Sequence, residues 1–197
     1  MEKLRLAAVL LFLTVLVARA TSVQAPEFPE LVSGADAIYR GHVVSVESRR
    51  IDRPGGPVIR TYVTFVVERT LKGDERAEVV LDFLGGTVGD VTLEVSDVPQ
   101  FKIGDHDYVF VQGNGRQFCP LVAVMHGRYR IVHDAVANRD FVTRENRLPL
   151  NDVRDVAQPM ADHALTAADT SRALSPATFE VQILQQVAAT KPVQRQQ

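Results

Sequence analysis

The chain has one cysteine, Cys119, in 197 residues. A single thiol forms no internal disulfide, so the scaffold of bridges that stabilises many small exported domains is excluded. Basic excess is also missing: the formal net charge is −2, and a mildly acidic chain has no electrostatic reason to bind nucleic acid. Past residue 20 no apolar run reaches the roughly 20 residues that span a bilayer, which argues against a membrane span in the mature chain. No HExxH, CxxC, CxxCH or GxSxG occurs, so the signatures that tie residue spacing to metal or nucleophile chemistry are absent.

What is present begins at the N-terminus. Lys3 and Arg5 precede an apolar run over residues 6–18, about 13 residues long, that ends in Ala18-Arg19-Ala20. A short positive region, a short apolar run and an A-x-A site are the parts of a cleavable signal peptide. Residues 1–20 are therefore expected to be removed, with Thr21 as the mature N-terminus and a periplasmic or extracellular location. No cysteine follows the run to carry a lipid anchor. Losing Lys3, Arg5 and Arg19 together with Glu2 takes the formal charge from −2 to about −4.

Residues 37–143 alternate short apolar segments with Gly, Pro and Asp, the spacing of a sandwich or barrel. The clearest strand is 61–71, where Val63, Phe65, Val67 and Leu71 fall on one face and Tyr62, Thr64, Glu68 and Thr70 on the other. Residues 79–83 repeat the pattern with Val79, Leu81 and Phe83 facing in. In the first strand, residues 37–47, the alternation slips at Gly41, which predicts a bulge or sharp bend. Residues 108–111 (YVFV) are continuously apolar, as in a central strand covered on both faces. Residues 121–125 and 128–132 read as two strands joined by a tight hairpin at His126-Gly127.

Two helices are expected. Residues 29–33 make a single turn ahead of the first strand. At 175–190, Ser175 is an N-cap, Pro176 suits the first helical position, and Phe179, Ile183 and Val187 form an apolar stripe that docks on the barrel or on a partner. Residues 21–150 are thus assigned to the β domain, 151–174 to a linker and 191–197 to a disordered tail.

This order of features resembles the netrin/TIMP-like domain family. The residues that carry the likeness are 35–47 (ADAIYRGHVVSVE), 62–67 leading into Leu71-Lys72-Gly73, and Phe101-Lys102-Ile103-Gly104-Asp105 ahead of Tyr108-Val109-Phe110-Val111. They are structural positions, so the resemblance implies a fold rather than an activity. That fold is mainly β, an OB-like antiparallel β-barrel with a short N-terminal helical turn and a C-terminal amphipathic helix. The metalloproteinase inhibitors of this family chelate zinc through an N-terminal cysteine, where this chain has Thr21. The disulfides of classical members are missing too, which points to a divergent exported member of bacterial type.

Each chemical cluster is weighed against a plainer reading. Asp105-His106-Asp107 is the densest group of potential metal ligands, but on a strand His106 faces away from both carboxylates, and a solvated turn is the expectation. His42, His126 and His133 lie in separate segments with nothing to force convergence. Gly85-Gly86-Thr87-Val88-Gly89-Asp90 lacks the Lys and the helix of a phosphate loop and reads as a strand connection. Cys119, ahead of a strand, is expected to be a packed thiol rather than the partner of His126 or His133. No catalytic residue, metal or cofactor is assigned.

Residues 113–120 and 125–130 look richer than packing requires. Arg116, Phe118, Arg128, Tyr129 and Arg130 are taken as a partner-binding patch, because arginine and aromatic rings dominate interface energetics. The expected role is an exported, non-enzymatic binding or structural module that meets a protein partner. The alternatives are a protease inhibitor or accessory protein of an exported metalloprotease, and a small cysteine- or histidine-dependent hydrolase.

Overall fold

The computed structural model describes residues 24–159 and 167–190. The segment expected as a signal peptide, the expected tail at 191–197 and part of the stretch expected as a linker fall outside these residues. Among the described residues no helix is long and apolar enough to cross a membrane.

The protein is mainly β, and its centre is a six-stranded antiparallel sheet in the order β3-β2-β1-β6-β7-β8. Two long strands, β1 (Ala37–Ile51) and β2 (Val58–Lys72), are joined across the Pro- and Gly-rich residues 52–57. β3 (Glu78–Leu84) completes one side, and β4 (Gly86–Val88) with β5 (Val91–Leu93) forms a separate hairpin from the glycine-rich segment, as expected of a strand connection. β6 (His106–Val111), β7 (Arg128–Asp134) and β8 (Arg139–Arg144) make up the other side.

The slip at Gly41 is real. The β1/β2 register shifts between Arg40 and Gly41, and a Cβ at position 41 would stand 2.2 Å from the Val66 carbonyl oxygen. Only glycine lets the two backbones approach this closely.

Each face of the sheet carries its own core, and β6 shows how. Val109 and Val111 enter a cluster with Tyr39, Val43, Val63, Phe65, Leu81, Phe83 and Phe101. Tyr108 and Phe110 enter a second cluster under the helices. The alternation of a strand, with both faces apolar, therefore marks the centre of the sheet.

The helices cover the second face. α1 (Phe28–Gly34) opens with the Glu27 N–H donating to Glu30 Oε2 at 3.2 Å and buries Phe28, Leu31 and Val32. α2 (Ala167–Arg172) is short. α3 (Pro176–Thr190) is capped by Ser175, whose Oγ accepts from Thr178 N at 3.1 Å. Phe179 of α3 packs its ring 5.2 Å from Tyr108 and 5.3 Å from Tyr129, centroid to centroid. The stripe thus docks on the sheet, and burying that ring alone stabilises by about 1.5–3 kcal/mol. The stretch expected as a linker also packs where it is described: a 3-10 helix, Val153–Ala157, buries Val156 in this core.

The expected hairpin at His126-Gly127 is corrected. Residues 121–122 are held to the end of β6 by a Val111–Leu121 bridge and a Val122 N–H to Phe110 carbonyl bond of 2.9 Å. A 3-10 helix, Val124–Gly127, then leads into β7. Residues 121 and 128 both pair with β6, at Val111 and Val109, so the segment between them is a detour rather than a turn between two partners.

Candidate functional site

Cross-strand register builds the most unusual cluster in the molecule. Val109 pairs with Arg128, Asp107 with Arg130, and Arg130 with Thr143. The side chains of Asp107, Arg128, Arg130 and Thr143 therefore stand together on the face away from the helices.

Arg128 is completely buried. Its Nη2 donates to Asp105 Oδ2 at 2.6 Å and Asp107 Oδ2 at 2.8 Å, and its Nη1 to the Gln100 carbonyl at 2.8 Å. Glu145 Oε2 lies 3.4 Å from Nη1, and the guanidinium sits 3.8 Å from the centre of the Phe101 ring. A guanidinium survives burial because its planar fork meets several carboxylates at once while its flat face rests on a ring. Arg130 extends the network, donating to Glu145 Oε1 at 3.0 Å.

Asp107 bears the cost of this arrangement. Burial drives its pKa up to about 6, against the opposing pull of Arg128 and Arg130 and with a small addition from Asp105. A carboxyl so placed takes or gives a proton near neutrality. Asp105-His106-Asp107 is therefore not the solvated turn expected. The two acids do share one side, as the strand period requires, but that side is the interior.

His106 faces the other way. Its Nε2 lies 2.9 Å from Glu68 Oε2, and His42 Nδ1 lies 3.3 Å from Glu68 Oε1. Burial alone would raise Glu68, but His106, His42 and Arg40 outweigh it and hold the carboxyl below its ordinary value. His42 thus meets His106 rather than His126 or His133; His133 instead lies 2.8 Å from Asp140. Among the described residues no group of three or more His, Cys, Asp or Glu is arranged to hold a metal ion.

On the helix side, Glu180 of α3 is the buried acid. It accepts from Arg40 at 2.5 Å and from the Tyr108 hydroxyl at 3.1 Å, and it forms an ion pair with Arg69 at 3.0 Å. Nothing in the helical stripe foretold this residue, because a glutamate on a helix is ordinarily solvated.

The five residues of the expected patch do not form one surface. Arg128 and Tyr129 are interior, Tyr129 in the helix-side core, and Arg130 is half-buried beside Glu145. Adjacency in sequence misled here: successive strand residues point to opposite faces. Arg116 and Phe118 remain at the surface, on a loop bound to the free edge of β3. Leu84 N–H donates to the Phe118 carbonyl at 2.7 Å, Asn114 bonds Val80 and Asp82, and Arg60 donates to the Gln117 carbonyl at 3.1 Å. Cys119, next to Phe118, is 2% exposed, and burial pushes its thiol up to about 11.

Comparison of the chain with protein-family models, curated proteins and solved structures finds no match.

Proposed function

We propose that this protein is an exported, non-enzymatic binding module on a netrin-like, OB-type scaffold, and that it contacts a protein partner through residues 113–118. Export rests on the signal-peptide pattern of residues 1–20, and the OB-type reading on the resemblance together with the strand edge that this loop covers. One observation carries the contact site: Phe118, 45% exposed, is an aromatic ring held at the surface on an anchored loop. Its backbone is tied to β3, Gly113 N–H donates to Asp36 Oδ2 at 2.8 Å, and Arg116 stands next to it on the loop. A ring on a backbone already fixed loses little entropy on binding, which makes it a good anchor. The arginine supplies the accompanying donors.

Site-specific photocrosslinking in the exported fraction is the test. A probe at position 118 is expected to trap one defined partner, and a probe at Val136, 99% exposed on the β7–β8 turn, is expected to trap none. Phe118→Ala should abolish capture through the neighbouring Arg116 position while leaving thermal unfolding unchanged, since an exposed ring adds little to stability. Equal trapping at 118 and 136 refutes the reading.

A further inference from the structure

The sheet has two edges, β3 and β8, and the chain closes them differently. β8 is closed by main chain. Thr143 bridges to Pro149, Leu150 N–H donates to the Val142 carbonyl at 2.9 Å, and Val142 N–H donates to the Leu174 carbonyl at 2.9 Å. Backbone laid along an edge removes it as a template for further pairing.

β3 is closed mostly by side chains. Asn114 Nδ2 donates to the Val80 carbonyl at 2.8 Å, and Asn114 Oδ1 accepts from the Asp82 N–H at 3.0 Å. Arg60 Nη2 donates to the Asp82 carbonyl at 3.1 Å, and the Leu84 N–H donates to the Phe118 carbonyl at 2.7 Å. One side-chain amide thus makes the two bonds that a residue of an added strand would make.

The strand itself carries little protection. Glu78–Leu84 (EVVLDFL) has no Lys and no Pro, and its register with β2 runs without a bulge. Those are the usual devices that blunt an edge. Val80 is 43% exposed, and the segment is rich in residues that favour strands. Its two acids do not repel a second copy. In antiparallel pairing centred on Leu81, Val80 and Asp82 of one copy exchange bonds with Asp82 and Val80 of the other, and Glu78 stands opposite Leu84. No like charges meet across that axis.

We propose that the β3 edge is a pairing surface for a second copy of this chain, and that Asn114 is the latch that keeps it closed. Pairing through β3 uses neither the Phe118 ring nor the Arg116 guanidinium.

Sedimentation velocity on the full chain, over a range of concentrations, is the test. Asn114→Ala is expected to strengthen self-association at least tenfold over the unsubstituted chain, with the circular-dichroism spectrum unchanged and faster amide exchange at Asp82 when dilute. Asn114→Asp keeps the size of the side chain and offers no donor to the Val80 carbonyl, so it serves where Asn114→Ala does not fold. Adding Val80→Glu sets a glutamate against Asp82 of the second copy, twice per pair, and should reverse the association. Adding Val80→Lys sets opposite charges there and should leave the association in place. A folded latch variant that associates no more than the unsubstituted chain overturns the proposal. So does association that Val80→Glu leaves intact or that Val80→Lys abolishes equally, because pairing then lies elsewhere or in another register.

Discussion

The two faces of the sheet are closed by buried charges of opposite sign. Under the helices the buried group is an acid, Glu180, met by two arginines and a phenol; on the other face it is a cation, Arg128, met by three carboxylates. Their surroundings differ in the quantity that decides electrostatic strength. Arg40 and Arg69 have side chains 25% and 51% exposed, whereas Asp105, Asp107 and Glu145 are 19%, 0% and 18% exposed. Water and salt reach the partners of Glu180, Arg69 above all, and weaken each pair; they reach Asp105 and Glu145 less and Asp107 not at all. Ion pairs thus fasten a helix from its rim on one face and are built into the interior of the other.

The largest effect is expected where water is excluded. Arg128→Met keeps a long apolar stem over Phe101 but strands three carboxylates with only Arg130 beside them. Breaking a buried ion network from one side costs about 3–5 kcal/mol. Urea unfolding measures this, and Arg128→Lys should recover only part of it, because an ammonium cannot span the same fork. A loss below about 1 kcal/mol, the level of a surface pair, would erase the distinction between the two faces.

Asp107 sharpens the contrast through pH. Its folded pKa, raised to about 6 mainly by burial, lies above the value of about 3.9 in an unfolded chain. Between these values the folded state holds a proton that the unfolded state has lost, so this group's contribution to stability falls as pH rises from about 4 to about 6. Asp107→Asn removes that slope. Relative to the unsubstituted protein the variant should gain up to about 3 kcal/mol between pH 4 and pH 7, read as a difference in urea midpoints. A difference that stays flat over that range would mean Asp107 is not desolvated as the structure has it.

These two residues also show what sequence reasoning reaches. The strand at 61–71, the break at Gly41 and the capped helix at 175–190 were legible because each follows from a period or a cap that neighbouring residues impose. The Arg128 cluster was not, although its signal was present: acids at 105 and 107 and arginines at 128 and 130 share the two-residue spacing of strands. Pairing those spacings across β6 and β7 would have brought the four together and set Tyr129 apart. What sequence lacked was register, which depends on the detour at 123–127 and on the bridge of Leu121 to Val111. Glu180 carried even less signal, since its partners come from β1, β2 and β6.

The smallest expected effect belongs to that rim. Glu180→Gln retains the size of the side chain and a carbonyl that accepts from Arg40 or from Tyr108, whose hydroxyl is shared with the Pro176 carbonyl at 3.1 Å. Only the charge is lost, from pairs whose cationic members are partly in water, so about 1–2 kcal/mol is expected from the charge-assisted bonds. The magnitude overlaps with many neutral substitutions, but its salt dependence does not. At about 1 M salt the screening length falls to roughly 3 Å, and the cost of Glu180→Gln should shrink, because salt has already weakened the pairs with Arg40 and Arg69. The cost of Arg128→Met should hold within error across the same range, since ions do not enter the space between Arg128 and Asp107. Unfolding both variants at low and high salt therefore measures the difference between the two faces directly, and equal salt sensitivity would show that solvent reaches Arg128 as freely as it reaches Arg40.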